Sequence, residues 1–155
     1  MHNNNNDTHI QSKRETRLMS ILQFVSAQVW KSLFGKPADS LERSIDHADE
    51  YMIVEYSSLT SKYVSVPSDL GQLSVDAYVS GIIAGVLDGA GFSARVTAHL
   101  VQLEDGEQNP HWSSSSSGNH SNDDYESSLP PRKDKAVFLV KFAPEVLTRD
   151  GNMDR

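Results

Sequence analysis

The stretch from Lys13 to Phe34 constrains the fold more than any other part of this chain, because it presents one broad apolar stripe at helical spacing. Leu18, Ile21, Leu22, Val25, Val29 and Leu33 recur every three or four residues, and Trp30 and Phe34 widen the stripe. Ser12-Lys13-Arg14-Glu15 fits a capping box at its start, and Gly35 followed by Pro37 supplies a left-handed stop. Such a helix would run about 33 Å at 1.5 Å per residue. An apolar face of that length has to be covered, so the rest of the chain must supply a sheet or further helices.

Those elements are legible downstream. Ala38 to about Ala48 reads as a short helix with Leu41 and Ile45 on one side. Tyr51–Tyr56 and Tyr63–Val66 are β-branched and aromatic runs that read as strands, the second closed by Pro67. Ser74 is placed to cap a second long helix with Val75, Val79, Ile82, Ile83, Val86 and Leu87 as its apolar positions. Gly81 and Gly85 lie inside it; their spacing reads as close packing against another backbone, within the domain or across a subunit contact. Gly89 and Gly91 end it. Ser93–Gln102, with Ala94, Val96, Ala98 and Leu100 on one face, and Lys135–Phe142 read as two strands of a hairpin. Pro144 opens a last short helix to about Asp150. This order indicates an α+β fold, a twisted antiparallel sheet with helices packed on one face.

Two stretches are expected to stay outside the core: a disordered Asn-rich leader, residues 1–11, and a disordered acidic Ser-rich loop at 103–134. The expected domain is 12–150, interrupted by that loop, with 151–155 as a tail. Without leader and loop about 112 residues remain, a small domain of marginal independent stability. The loop carries seven acids (Glu104, Asp105, Glu107, Asp123, Asp124, Glu126, Asp134) against Arg132 and Lys133, most of the net charge of −7. No basic face remains for a phosphate backbone, which argues against nucleic acid. The absence of cysteine excludes disulfides and thiolate sites and points to a cytosolic compartment. The leader lacks the apolar run of a secretory signal, and no run approaches the ~20 apolar residues of a membrane span. Without export, the sequons at Asn6 and Asn119 are expected to stay unmodified.

A search for chemistry yields little. The six histidines do not cluster: His2 and His9 fall in the leader, His111 and His120 in the loop, His47 in a polar segment. His99 lies in a strand with no nucleophile or orienting acid in view, and reads as a half-buried strand residue. Gly89-Ala90-Gly91 matches half of a dinucleotide fingerprint but follows a helix where that motif must follow a strand, so it reads as a helix cap. The loop acids do not have EF-hand spacing; a solubilising or phosphorylated loop fits them better. Phe24, Trp30 and Phe34 form an aromatic stripe that serves either as core or as a partner surface. The expected site inventory is therefore empty: catalytic none, cofactor-binding none, metal none.

Several stretches taken together resemble a known family. Lys13-Arg14-Glu15-Thr16, Val29-Trp30-Lys31 through Leu33-Phe34-Gly35-Lys36, Ala38-Asp39, Leu41-Glu42, Tyr63-Val64-Ser65-Val66-Pro67, Gly81-Ile82, Gly91-Phe92, Ala94-Arg95-Val96-Thr97-Ala98-His99 and Lys141-Phe142 occur in the order and spacing of the subunit 5 family of the TRAPP complex, within the small-subunit TRAPP superfamily. The resemblance runs from Lys13 to about Arg149, interrupted by the Ser-rich insert. It implies a twisted antiparallel sheet covered on one face by helices, in subunits that pair through those helices with other small TRAPP subunits. It also implies a non-catalytic structural role in an assembly that tethers vesicles in ER-to-Golgi transport and promotes nucleotide exchange on a Rab-family GTPase. The implied location is cytoplasmic, peripherally associated with cis-Golgi and endoplasmic reticulum, with membrane contact through the complex. The family carries helices ahead of the one near Lys13; here an unrelated leader stands there, so the expectation is an N-terminally shortened member with exposed apolar patches. Two other classes stay open: a free-standing small-molecule or lipid-binding α+β module, and an enzyme using His99.

Overall fold

The computed structural model describes residues 15–56, 75–103 and 134–153. In chain order these form α1 (Leu18–Phe24), a π turn (Val25–Val29), α2 (Trp30–Phe34), β1 (Ser40–Arg43), β2 (Glu50–Glu55), α3 (Val75–Gly89), β3 (Ala94–Gln102), β4 (Asp134–Phe142) and α4 (Pro144–Asn152). The strands make one antiparallel sheet in the order β1-β2-β4-β3. The leader, Tyr63–Val66 and Ser74 lie outside the described residues, as does the loop between Leu103 and Asp134. Gly151 and Asn152, expected in a tail, belong to α4.

Antiparallel register assigns each strand residue to a face. Leu41, Ile53, Phe138 and Ala98 line up across all four strands, and Tyr51, Val140 and Val96 do so one step along. This face meets the helices: Tyr51, Ile53, Ala136, Phe138, Val140 and Phe142 join one core cluster with Leu18, Ile21, Leu22, Val25 and Trp30, with Val79, Ile83 and Leu87 of α3, and with Val146 of α4. The buried apolar residues of the described helices therefore all meet the same face.

The first helix departs from the regular reading in three ways. It starts at Leu18 rather than Lys13, because its cap comes from the far end of the chain. Asp150 Oδ1 accepts from the Leu18 amide at 2.9 Å, and the Arg17 guanidinium donates to the Asp150 carbonyl at 3.1 Å. Ser12 lies outside the described residues, and Glu15 precedes the helix. Second, the π turn widens the repeat: the Trp30 amide bonds the Val25 carbonyl, and buried positions step from Val25 to Trp30. Third, this rotation turns Leu33 outward (45 % exposed) and leaves Val29 only half-buried, so Trp30 and Phe34 take the core positions assigned to them. The Ser26 carbonyl, freed by the wide turn, accepts from the Ala38 amide at 2.8 Å, which fixes the path out of Gly35 (φ 79°).

The short helix expected over Ala38 to Ala48 is absent; Ser40–Arg43 is strand β1, and Ile45 is fully exposed. Pairing of Leu41 with Ile53 and of Arg43 with Tyr51 outweighs a weak local helical preference. The cap reading of Gly89-Ala90-Gly91 holds. The Phe92 amide bonds the Leu87 carbonyl at 2.8 Å and the Gly91 amide bonds Asp88 at 2.9 Å, with Gly91 at φ 81°. This is a Schellman stop with Leu87 and Phe92 as its apolar contact. β3 and β4 form the expected hairpin, with Gln102 opposite Asp134. Leu100, expected inside with Ala94, Val96 and Ala98, is instead 63 % exposed because the helices cover only the first part of β3.

Candidate partner interface

The surface most suited to a partner is the outer side of the helices. In α3, Val79, Ser80, Ile83 and Leu87 face the core. Ala77, Tyr78, Gly81, Gly85 and Gly89 are on the opposite side, exposed, with Tyr78 at 73 %. A Cβ built on Gly81 or Gly85 would meet nothing within 4 Å. The glycines therefore do not serve close packing among the described residues; they leave this side of α3 bare of side chains next to the exposed Tyr78. Each interior glycine costs a helix about 1 kcal/mol against alanine, and no described contact offsets that cost. The first helix adds Met19, Phe24 and Leu33, each between 42 and 45 % exposed. Its aromatic stripe is thus divided: Trp30 is core, Phe34 packs against the core edge, and Phe24 faces out.

Behind this surface a buried polar group fixes the turn between α2 and the sheet. Glu55, at the end of β2, is 3 % exposed. Its Oε2 accepts from Trp30 Nε1 at 3.0 Å and its Oε1 pairs with the Lys36 ammonium. Lys36 also reaches Asp39 Oδ1 at 3.3 Å, and Asp39 Oδ2 accepts from the Tyr56 amide at 2.7 Å. Burial pushes the Glu55 carboxyl above its ordinary value; the hydrogen bond from Lys36 opposes this, and the Asp39 charge adds to it. Trp30 stacks at a tilt on Phe34 (5.1 Å) and edge-on to Phe138 (5.2 Å). The sequence identifies Trp30 but carries no sign of Glu55, an acid in an apolar strand whose partners lie 19 and 25 residues away.

Among the described residues, two further sets of titratable groups stand out, at His99 and around Lys141. His99 is exposed rather than half-buried, and its Nε2 lies 2.9 Å from Thr97 Oγ1. His47, isolated in the sequence, lies with Asp49 and Glu50 so that their ligating atoms fall within 4.8 Å. The Lys141 ammonium already holds both carboxylates, at 2.9 Å to Glu50 and 3.5 Å to Asp49. Its pKa is raised, chiefly by the Glu50 hydrogen bond and then by the Asp49 charge. No helix among the described residues is long and apolar enough to cross a membrane. A shallow depression along α4, lined by Glu145, Thr148, Arg149, Asn152 and Met153, is open to solvent rather than enclosed.

Comparison with known proteins assigns this architecture. The profile of the family described as Transport protein particle (TRAPP) component matches residues 2–114. Trafficking protein particle complex subunit 5 of Dictyostelium discoideum is 45 % identical over 140 residues, covering 90 % of this chain and 62 % of that protein. Subunit 5 of Homo sapiens is 43 % identical over 88 residues, covering 57 % of this chain and 47 % of its own length. Trafficking protein particle complex subunit 31 of Saccharomyces cerevisiae is 30 % identical over 139 residues, covering 90 % of this chain and 38 % of that protein. The chain spans less than two thirds of the length of these relatives. With a four-stranded antiparallel sheet and its helices on one face, the chain belongs to the TRAPP component family, and within it resembles subunit 5.

Proposed function

We propose that this chain is a non-catalytic structural subunit of a TRAPP complex, joined to another small subunit through the outer faces of α1, α2 and α3. The assembly it serves tethers transport vesicles between endoplasmic reticulum and Golgi and promotes nucleotide exchange on a Rab-family GTPase. Exchange belongs to the assembly, and membrane contact is peripheral and made through it. The chain itself works in the cytoplasm at cis-Golgi and endoplasmic reticulum surfaces. The observation that carries this reading is the bare glycine side of α3 beside the exposed Tyr78, in a chain 45 % identical to a TRAPP subunit over 90 % of its length. Exposed apolar residues beside a helix side bare enough for two backbones to approach closely are what a helix-to-helix subunit contact requires.

Purification of the tagged chain from its native cells, with mass spectrometry of what accompanies it, tests the role. Other TRAPP subunits are expected at near-stoichiometric recovery. Recovery of the chain alone, or with chaperones only, would contradict a working place in the complex.

A further inference from the structure

β3 forms one end of the sheet, and no described strand lies beyond it. From Ala94 to Gln102 every residue has a partner on β4, without a bulge. The Ala143 amide donates to the Ser93 carbonyl at 3.0 Å. Bonding direction alternates along an antiparallel ladder, so Arg95, Thr97, His99 and Val101 bond inward to β4. The backbone groups of Ala94, Val96, Ala98, Leu100 and Gln102 therefore point away from the sheet. Natural edges are blunted by shortness, lysine, proline or a bulge. The opposite edge, β1, has four residues, among them Glu42 and Arg43. β3 has nine residues with no proline and no lysine, and Arg95 is its one fixed charge. Its distal part is apolar and open, with Leu100 at 63 % and Val101 at 40 % exposure.

From these features we infer that the outer edge of β3 pairs antiparallel with the same edge of a second copy of this chain, about a two-fold axis at Ala98. That register joins all nine residues and is self-complementary. Val96 faces Leu100 on one side of the joined sheet; Arg95 faces Val101 and Thr97 faces His99 on the other. No like charges oppose one another. The charge around the strand selects the same arrangement. β3 runs directly into the 103–134 stretch, with its seven acids and two bases, while Arg95 lies at the other end. Antiparallel pairing sets the end of β3 that leads into this acidic sequence against the Arg95 end of the other copy; parallel pairing would set like ends together. A single nine-residue edge buries less than the ~1,200–2,000 Å² of a stable interface, so the dimer is weak and depends on concentration. The pairing uses none of the outer helical residues, so its failure leaves the subunit role untouched.

The chain has no cysteine, so Ala98→Cys places one thiol per copy on the axis. Opposed Cα atoms of a hydrogen-bonded antiparallel pair are ~5.5 Å apart, within reach of a disulfide. Under mild oxidation the full chain carrying Ala98→Cys is expected to form a disulfide dimer about tenfold faster than one carrying Lys31→Cys on the first helix. Adding Leu100→Lys, a charge at an already exposed edge position, should slow it about fivefold with unchanged circular dichroism. Sedimentation of the unsubstituted chain should show its mass rising from 17.2 kDa toward twice that value with concentration, a rise that Leu100→Lys removes. Equal crosslinking of the Ala98→Cys and Lys31→Cys variants, a dimer indifferent to Leu100→Lys, or a monomer at every concentration would each overturn the inference.

Discussion

Replacing Trp30 with alanine is expected to remove about 4 kcal/mol of stability, enough to leave little folded chain at physiological temperature. Trp30 is 1 % exposed and joins three parts of the molecule. Its ring packs on Phe34 of its own helix and edge-on to Phe138 of β4, and its indole N–H donates to Glu55 of β2. Truncation leaves a cavity where helix meets sheet and also removes a donor from a buried carboxylate. Trp30→Phe keeps most of the volume and loses the donor, so its expected cost is smaller, about 1–2 kcal/mol. Urea unfolding followed by far-ultraviolet circular dichroism separates the two. A loss below about 1 kcal/mol for Trp30→Ala would show that the π turn does not direct this residue into the core.

Glu55→Ala is expected to cost about 3 kcal/mol, because it leaves the buried Trp30 N–H without an acceptor and removes a buried carboxylate partner of Lys36. The pH dependence has a definite sign. Burial raises the folded-state pKa of Glu55 above its ordinary 4.5, against the hydrogen bond from Lys36. The native state then binds more protons than the unfolded state between these two values. This group's contribution is fully present below about 4.5 and is lost as pH rises through the raised folded value. Glu55→Gln does not titrate, so the stability difference between wild type and Glu55→Gln should shift against wild type as pH rises from about 4 to 7. Urea midpoints of both proteins across that range measure it. A difference that is flat, or that moves in favour of wild type, would contradict the assignment.

Much of the frame is readable from residues alone because its signals are local. β2 and β4 announce themselves by β-branched and aromatic runs, α3 by its apolar period, and the stop of α3 by Gly91, which takes a positive φ. The subunit resemblance is legible for the same reason: short stretches in a fixed order. What escapes the sequence depends on distant partners. The start of α1 is set by Asp150, more than 130 residues away, which no capping rule within one segment detects. The step from Val25 to Trp30 defeats a 3.6-residue template, which places Val29 and Leu33 inward. β1 has four residues and becomes a strand only because β2 offers a register. The candidate interface is half legible: the spacing of Gly81 and Gly85 is visible, but only the structure shows that their side of α3 faces away from the core. Glu55 and the cluster of His47, Asp49 and Glu50 around Lys141 leave no pattern at all, since strand register and tertiary packing assemble them.

If the open side of α3 joins a neighbouring subunit, Gly81→Leu should disrupt that contact while leaving the isolated chain intact. With nothing within 4 Å of a built Cβ and a residue of higher helix propensity replacing glycine, the isolated chain should be unchanged or more stable by up to about 1 kcal/mol. In the complex the same side chain would hold two closely approaching helices apart. Tagged wild type and Gly81→Leu, expressed at equal levels and purified with their partners, should differ at least tenfold in recovered TRAPP subunits (the roughly 1.4 kcal/mol that one disrupted contact must exceed), while their melting temperatures show no loss for the variant. Equal recovery of partners by both proteins would contradict the account and move the subunit contact away from α3.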